Sequence, residues 1–322
     1  MALVRIENLK RLDKVITPIS LGLPFIEWAE SKAQELVDKT TTKKNEVDLG
    51  QLLKYRNTTV LLQSSDIKNI FKASLNKSSD KFEIILDENQ VINDSEKRFI
   101  IAHELAHTLF YNYEDREYKR ILNLSYGSKQ LEDICDFIAL CLLLPKRFIS
   151  EEIKNYTDEN FSIRKRNESF LKFIFHLSAK YQLDWHYVMF RLITILSFLP
   201  NSLCIEFSKK EIWKIKWVFQ TETLSAKNLY IPLRSKEINK FPSAKESFTI
   251  ILDDIISKHK NYSTPYGSIV VGKDHFHTMY QGNIKQFLLK HFTEQYDKLK
   301  IYYRINHLDN LILLFPFDGL LK

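Results

Sequence analysis

Apolar residues crowd two stretches of the chain too densely for a helix or strand with a wet face. Between 95 and 110, a polar turn at Ser95 and Glu96 leads into Phe99, Ile100, Ile101, Ala102, Leu105, Ala106, Leu109 and Phe110, a broad apolar surface that predicts a buried helix capped at Ser95. From Glu132 the run Glu-Asp-Ile-Cys-Asp-Phe-Ile-Ala-Leu-Cys-Leu-Leu-Leu predicts a second helix, which Pro145 terminates. A polar stretch from Tyr156 to Asn167 reads as a connection. Apolar periodicity then returns in two helices, 171–184 and 185–198, joined at Gln182-Leu183-Asp184 with Asp184 as the second N-cap. Past Pro200 the period changes. Leu203 to Ser208 and Glu211 to Gln220 alternate as a hairpin across Lys209-Lys210, with Trp213, Ile215, Trp217 and Phe219 on one face. Ser243 and Glu246 form a capping box ahead of a helix carrying Phe248, Ile250, Ile251, Ile255 and Ile256. Strands are expected at Ser268 to Val271, Phe276 to Tyr280, Leu299 to Ile305 and Leu311 to Phe315, with an amphipathic helix from Asn283 to about Gln295.

The first buried helix contains an anomaly, His103-Glu104-Leu105-Ala106-His107. Four residues separate the histidines, so a 3.6-residue period sets both imidazoles on one face, one turn apart, able to share an ion. Imidazoles in so apolar a helix need partners, because unpaired buried polar groups cost free energy. Zinc is such a partner. Glu104 falls beside the pair, placed to take a proton from a metal-bound water rather than to bind metal.

A catalytic zinc needs a third protein ligand and an open position. Glu132 is the best candidate, and Asp136, one turn later on the same face, is placed to accept the spare ring N–H of a zinc-bound histidine and fix its tautomer. Asp133 competes for the ligand role but points about 100° away on a helical wheel. Cys135 and Cys141 are also near, although buried cysteines are more often inert packing residues.

Phe99-Ile-Ile-Ala-His-Glu-Leu-Ala-His107, followed by Glu132-x-x-Cys-Asp-x-Ile-Ala-x-x-Leu-Leu-Leu-Pro145, resembles the ImmA/IrrE metallopeptidases. Their pattern is a Thr-Ile-Ala-His-Glu-Leu-Gly-His helix and then Glu-x-x-Ala-Asn-x-Phe-Ala-Ala-x-Leu-Leu-Met-Pro. Upstream, Val47-Asp48-Leu49 to Leu53 is similar to the family's short helix, Thr59 to Leu62 to its first strand and Phe82 to Leu86 to its edge strand. Ala106, Cys135, Asp136, Ile138 and Leu144 depart from the pattern, and none removes a ligand or the base. The resemblance covers about residues 25 to 150. It implies a zinc endopeptidase, with manganese as the alternative ion, in which His103, His107 and Glu132 hold the metal and Glu104 is the general base. The implied substrate is a protein, a repressor with its own helix-turn-helix domain, whose cleavage switches on stress, mobile-element or defence genes. Zincin clefts lay an extended peptide beside an edge strand, which makes Phe82, Ile84 and Leu86 the expected substrate-binding residues. No oxyanion-stabilising group is evident; Tyr111, Tyr113 and Tyr126 are candidate phenol donors.

Composition narrows the setting. No apolar run approaches the roughly 20 residues of a membrane span, and Met-Ala-Leu-Val-Arg-Ile-Glu has no signal-peptide core. Three cysteines without paired spacing give no disulfide framework. A cytoplasmic protein with no membrane partner is expected. The net charge of +7 is spread among many acidic residues, so it favours encounter with an acidic partner but is weak evidence for nucleic-acid binding. With 7 glycines and no glycine-rich phosphate loop, a P-loop is set aside.

The helix pair at 171–198 has a helix-turn-helix outline, but its second helix offers only Trp185, His186, Tyr187 and Arg191 to a groove before turning apolar, which favours packing over DNA readout. His275 and His277 share a strand face without an evident third ligand. The expected architecture is α+β: a zincin-like metallopeptidase domain over 1–160, a helical, helix-turn-helix-like segment over 161–199, and an α+β sensor or regulatory domain over 200–322, similar in outline to a GAF-like module. The competing function is a non-hydrolytic regulator with a structural zinc that binds protein or DNA. Glu104 argues against it, since a purely structural zinc needs no base.

Overall fold

The structure, a computed structural model, describes residues 6–16, 19–40, 47–64, 72–78, 81–91, 93–111, 124, 127–159, 163–196, 198, 202–209, 213–220, 266–272, 298–305 and 311–316. The chain is mixed α and β and divides into two compact units. One comprises 1–156 with 177–188, the other 157–176 with 189–322. The expected middle segment is thus shared between them.

In the first unit α1 (Ile6–Arg11) and α2 (Asp13–Ile16) precede the long α3 (Phe25–Thr40). The N-terminus of α3 is held by the Asp13 carboxylate, which accepts from the Phe25 N–H at 2.7 Å. A short α4 (Leu49–Tyr55) follows, N-capped by Asp48, whose side chain accepts from the Gln51 N–H. Asn57 then takes a left-handed φ of 48°, which asparagine tolerates better than most residues, and the chain turns directly into a sheet. Its strands are β1 (Thr58–Gln63), β2 (Ala73–Ser78) and β3 (Lys81–Asp87), in the order β1-β3-β2. β3 runs parallel to β1 and antiparallel to β2.

That order corrects one expectation. Phe82 to Leu86 lies in the central strand, whose backbone groups are bonded on both sides, so no substrate strand can add to it. Phe82, Ile84 and Leu86 are fully buried and line no substrate groove. Among the described residues, the sheet edges belong to β1 and β2.

The crowded segments form helices. α5 (Asp94–His107) begins one residue before Ser95, and its cap is Asn93 rather than Ser95: the Asn93 side chain accepts from the Glu96 N–H at 2.8 Å. Every residue from Phe99 to His107 is buried. A single 3₁₀ turn, Thr108–Phe110, extends it. α6 (Lys129–Leu143) starts a turn ahead of Glu132 and stops before Pro145. It packs on α5 and α3, where the rings of Phe25 and Phe137 lie 5.3 Å apart. α7 (Lys146–Glu159) and α8 (Ile163–Tyr181) enter the stretch read as a connection from both ends. α9 (Trp185–Met189) places Tyr187 flat against Phe99, with centroids 4.0 Å apart and planes at 12°.

The second unit takes up the start of α8 and a π-helical segment, Phe190–Ile195, where a continuous α-helix to 198 was expected. Widening shows in the bond from the Leu196 N–H to the Arg191 carbonyl, and Arg191 itself is fully buried. The sheet comprises β4 (Ser202–Lys209), β5 (Trp213–Gln220), β6 (Tyr266–Gly272), β7 (Lys298–Ile305) and β8 (Leu311–Pro316), all antiparallel in the order β5-β4-β8-β7-β6. The expected hairpin is β4–β5, with a bulge between Glu206 and Phe207. The expected strands from Ser268, Leu299 and Leu311 are β6, β7 and β8. The helix after Ser243, the strand Phe276 to Tyr280 with His275 and His277, and the helix from Asn283 lie outside the described residues.

Candidate metal centre

α5 and α6 meet so that the last turns of one face the first turns of the other, and this juxtaposition collects polar side chains inside an apolar layer. His103 and His107 come from α5 at 5% and 2% exposure, with Glu104 buried between them in sequence at 6%. Glu132 and Asp136 come from α6. The Nε2 atoms of the two histidines are 3.2 Å apart; Glu132 Oε2 lies 3.0 Å from Nε2 of His103, and Glu132 Oε1 lies 3.6 Å from Nε2 of His107. Behind His103, Nδ1 donates to Asp136 Oδ1 at 2.7 Å.

This donor set suits a metal ion. One ligand atom from each of His103, His107 and Glu132 lies within 4.8 Å of the others, so the three could hold one ion. Ligands about 2.0–2.1 Å from a tetrahedral zinc sit roughly 3.3 Å from one another, close to the spacings seen here. Two ring nitrogens at contact distance can share at most one proton, so an ion facing both relieves the crowding. Asp136 stands where a metal-bound histidine commonly places its other N–H.

Protonation follows the same geometry. Burial opposes a charge on His103, but its bonds to Asp136 and Glu132, aided by the charges of Asp136 and Glu104, override that and raise its pKa from 6.5 to about 10. Burial likewise favours the neutral form of Glu132, yet interactions with His103 and His107 hold its carboxyl well below the usual range. Without metal the site is therefore an imidazolium facing carboxylates, a cationic proton standing where a cation could go. Cys135 is fully buried and its thiol is pushed up, first by burial and then by Glu132, Asp136 and Glu104, so it packs as a neutral group.

The other candidates separate cleanly. Asp133 pairs with Lys129 at 2.6 Å on an outer face of α6 and stays outside the ligand group. Cys141 is buried a turn and a half past Cys135 on the same helix. The ring of Tyr111 packs on Phe82 at 5.5 Å, while Tyr113 and Tyr126 lie outside the described residues. One participant was not foreseen. Arg56, at the end of α4, reaches across to Thr108, the residue after His107. Nothing local in the sequence marks that pair, which lies 52 positions apart.

Among the described residues no helix is long and apolar enough to cross a membrane. No curated protein matches the chain. Residues 67–177, which include both α5 and α6, match a peptidase family described as the IrrE N-terminal-like domain. That match takes in both helices and every convergent donor, His103, His107, Glu132 and Asp136, so this part of the chain is similar to the IrrE N-terminal-like domain where the candidate site lies.

Proposed function

We propose that the chain is a zinc-dependent endopeptidase in which His103, His107 and Glu132 hold the ion and Glu104 is the general base. The observation carrying this reading is the convergence of two imidazoles and a carboxylate beside a second carboxylate, that of the buried Glu104, which is not in the ligand group. A zinc ion held there would supply Lewis-acid polarisation of a carbonyl and a lowered pKa for water. Glu104 accepts the proton of the attacking water and returns it to the departing amine. Asp136 keeps His103 Nδ1 protonated, which leaves Nε2 free to ligate. Glu132, with its side chain about a third exposed, opens the site to solvent and peptide. Of the two sheet edges, β2 packs against α5, which favours it as the strand an extended substrate would join.

The substrate is a regulatory protein, a helix-turn-helix repressor, and its cleavage triggers a stress, mobile-element or defence response. This rests on the family resemblance and on the retained base. The test is to load the purified protein with zinc, incubate it with the repressor encoded beside its gene and search for a cut by mass spectrometry. Cleavage by the wild type and none by Glu104→Gln is the expected result. A zinc-loaded protein that leaves that repressor and unfolded test proteins intact would return the chain to the non-hydrolytic class.

A further inference from the structure

His107 is the last residue of α5, and this is an awkward place for a metal ligand. The final carbonyls of a helix have no partner within it, and last turns fray. A ligand there can share an ion with His103 only if the helix end is fastened by something else.

The fastening comes from α4. The Arg56 guanidinium donates twice to Thr108: Nε to Oγ1 at 3.1 Å and the second arm to the carbonyl oxygen at 2.5 Å. Thr108 is fully buried, and its hydroxyl in turn donates to the Leu105 carbonyl at 2.6 Å. The Thr108 carbonyl also accepts from the Tyr111 N–H, so the turn that leaves the helix converges on this one residue. Arg56 is itself held. Its N–H bonds to carbonyls of α4, and its carbonyl accepts from the Thr58 hydroxyl at the start of β1. A fixed cation at a helix C-terminus is also favoured by the dipole. A planar fork can grip a hydroxyl and a carbonyl together, whereas an ammonium on a flexible stem cannot reproduce that grip.

We infer that Arg56 is a positioning residue for the metal centre, clamping the end of α5 through Thr108 so that the His107 imidazole is held against that of His103. The inference rests on the proposed metal site and adds to it a residue that acts through Thr108. It predicts an effect on metal geometry as well as on fold.

The test uses the full chain, with cobalt(II) as a spectroscopic probe and zinc for affinity. Arg56→Met should retain the far-UV circular dichroism of the wild type, bind zinc about 10-fold more weakly and shift the visible cobalt bands, by analogy with outer partners of metal ligands. The rise in Tm on adding zinc should shrink, and Arg56→Lys should fall between the two. Equal lowering of the metal-free and zinc-loaded Tm, with affinity and cobalt bands unchanged, would make Arg56 merely structural and overturn the inference. Should Arg56→Met fail to fold, Arg56→Lys decides: wild-type affinity and bands there would likewise overturn it. A wild-type chain that binds neither ion fails the proposed function itself, whereas normal metal binding in folded Arg56 variants removes this inference alone.

Discussion

α5 and α6 contribute to one cluster from opposite ends and under opposite conditions. On α5 the histidines occupy the last turns and their side chains are 7% and 2% exposed; on α6 the side chains of Glu132 and Asp136, in the first half, are 36% and 20% exposed. A desolvated imidazole or carboxylate without a partner costs several kcal/mol, by order of magnitude, so α5 tolerates its histidines and Glu104 only as parts of a completed site. A carboxylate near a helix N-terminus keeps water and gains from the dipole. One helix therefore supplies a dry, preset half, and the other a wetter half that can adjust. Substitutions on α5 should accordingly act all or none, and those on α6 by degrees.

The sharpest break concerns Glu104. Glu104→Gln should keep the metal stoichiometry of the wild type and lower peptide cleavage by about 10²- to 10⁴-fold, since the amide cannot accept a proton. Metal content by atomic absorption, read beside the cleavage rate, checks this. Loss of both together would put Glu104 among the ligands and undo the division between the helices.

A graded loss is expected from α6. Asp136→Ala removes the acceptor behind His103 and should weaken zinc binding by about 10- to 100-fold without emptying the site at saturating zinc. A competition titration against a chromogenic chelator measures it, and an unaltered dissociation constant would show that the 2.7 Å bond leaves ligand strength untouched.

Acidity offers a third lever. In the metal-free protein the raised pKa of His103 contributes stability that is present below its ordinary 6.5 and disappears as pH climbs through about 10. The lowered pKa of Glu132 contributes stability present above its ordinary 4.5 and lost toward acid. Metal must displace the His103 proton, so zinc binding should release a proton at pH 7 and tighten by about tenfold per pH unit between 6.5 and 10. Calorimetry in two buffers of different ionisation enthalpy would expose the proton. Identical heats would mean that His103 is already neutral.

The smallest effect separates the helix starts. Asn93 caps α5 with a side-chain bond, whereas Ser128 precedes α6 without one. Asn93→Ala should cost about 1 kcal/mol in chemical denaturation, and Ser128→Ala should cost a few tenths or less. Equal losses would erase this difference in how the two helices begin.

What could be read from the sequence follows from range. His103, His107, Glu132 and Asp136 announce themselves because each pair sits one turn apart on a helix, a local relation that periodicity exposes. The cap of α5 is ambiguous in the sequence because Asn93 and Ser95 are equally good capping types and only geometry chooses between them. β3 alternates buried and half-buried positions like a half-covered strand, and β2, Ala73–Ser78, is too polar to register as its neighbour, so the central strand looked like an edge. Arg56 and Thr108 meet only after α4, β1 and α5 have folded together, and no pattern along the chain encodes that. The stretch 156–167 is polar enough for a loop, yet its charged residues are also good helix formers, and helices occupy both of its ends.

The stack of Tyr187 on Phe99 bears on how the first unit could be produced alone. Phe99 belongs to the helix that carries the histidines, and the aromatic covering it arrives from far downstream, after the chain has left the first unit and come back. A fragment cut at the end of the family match, 177, would leave that ring face bare and invite aggregation. Expression boundaries for an isolated first unit should extend at least through Val188, and the excursion between 157 and 176 would have to be kept or replaced by a linker that spans the same gap.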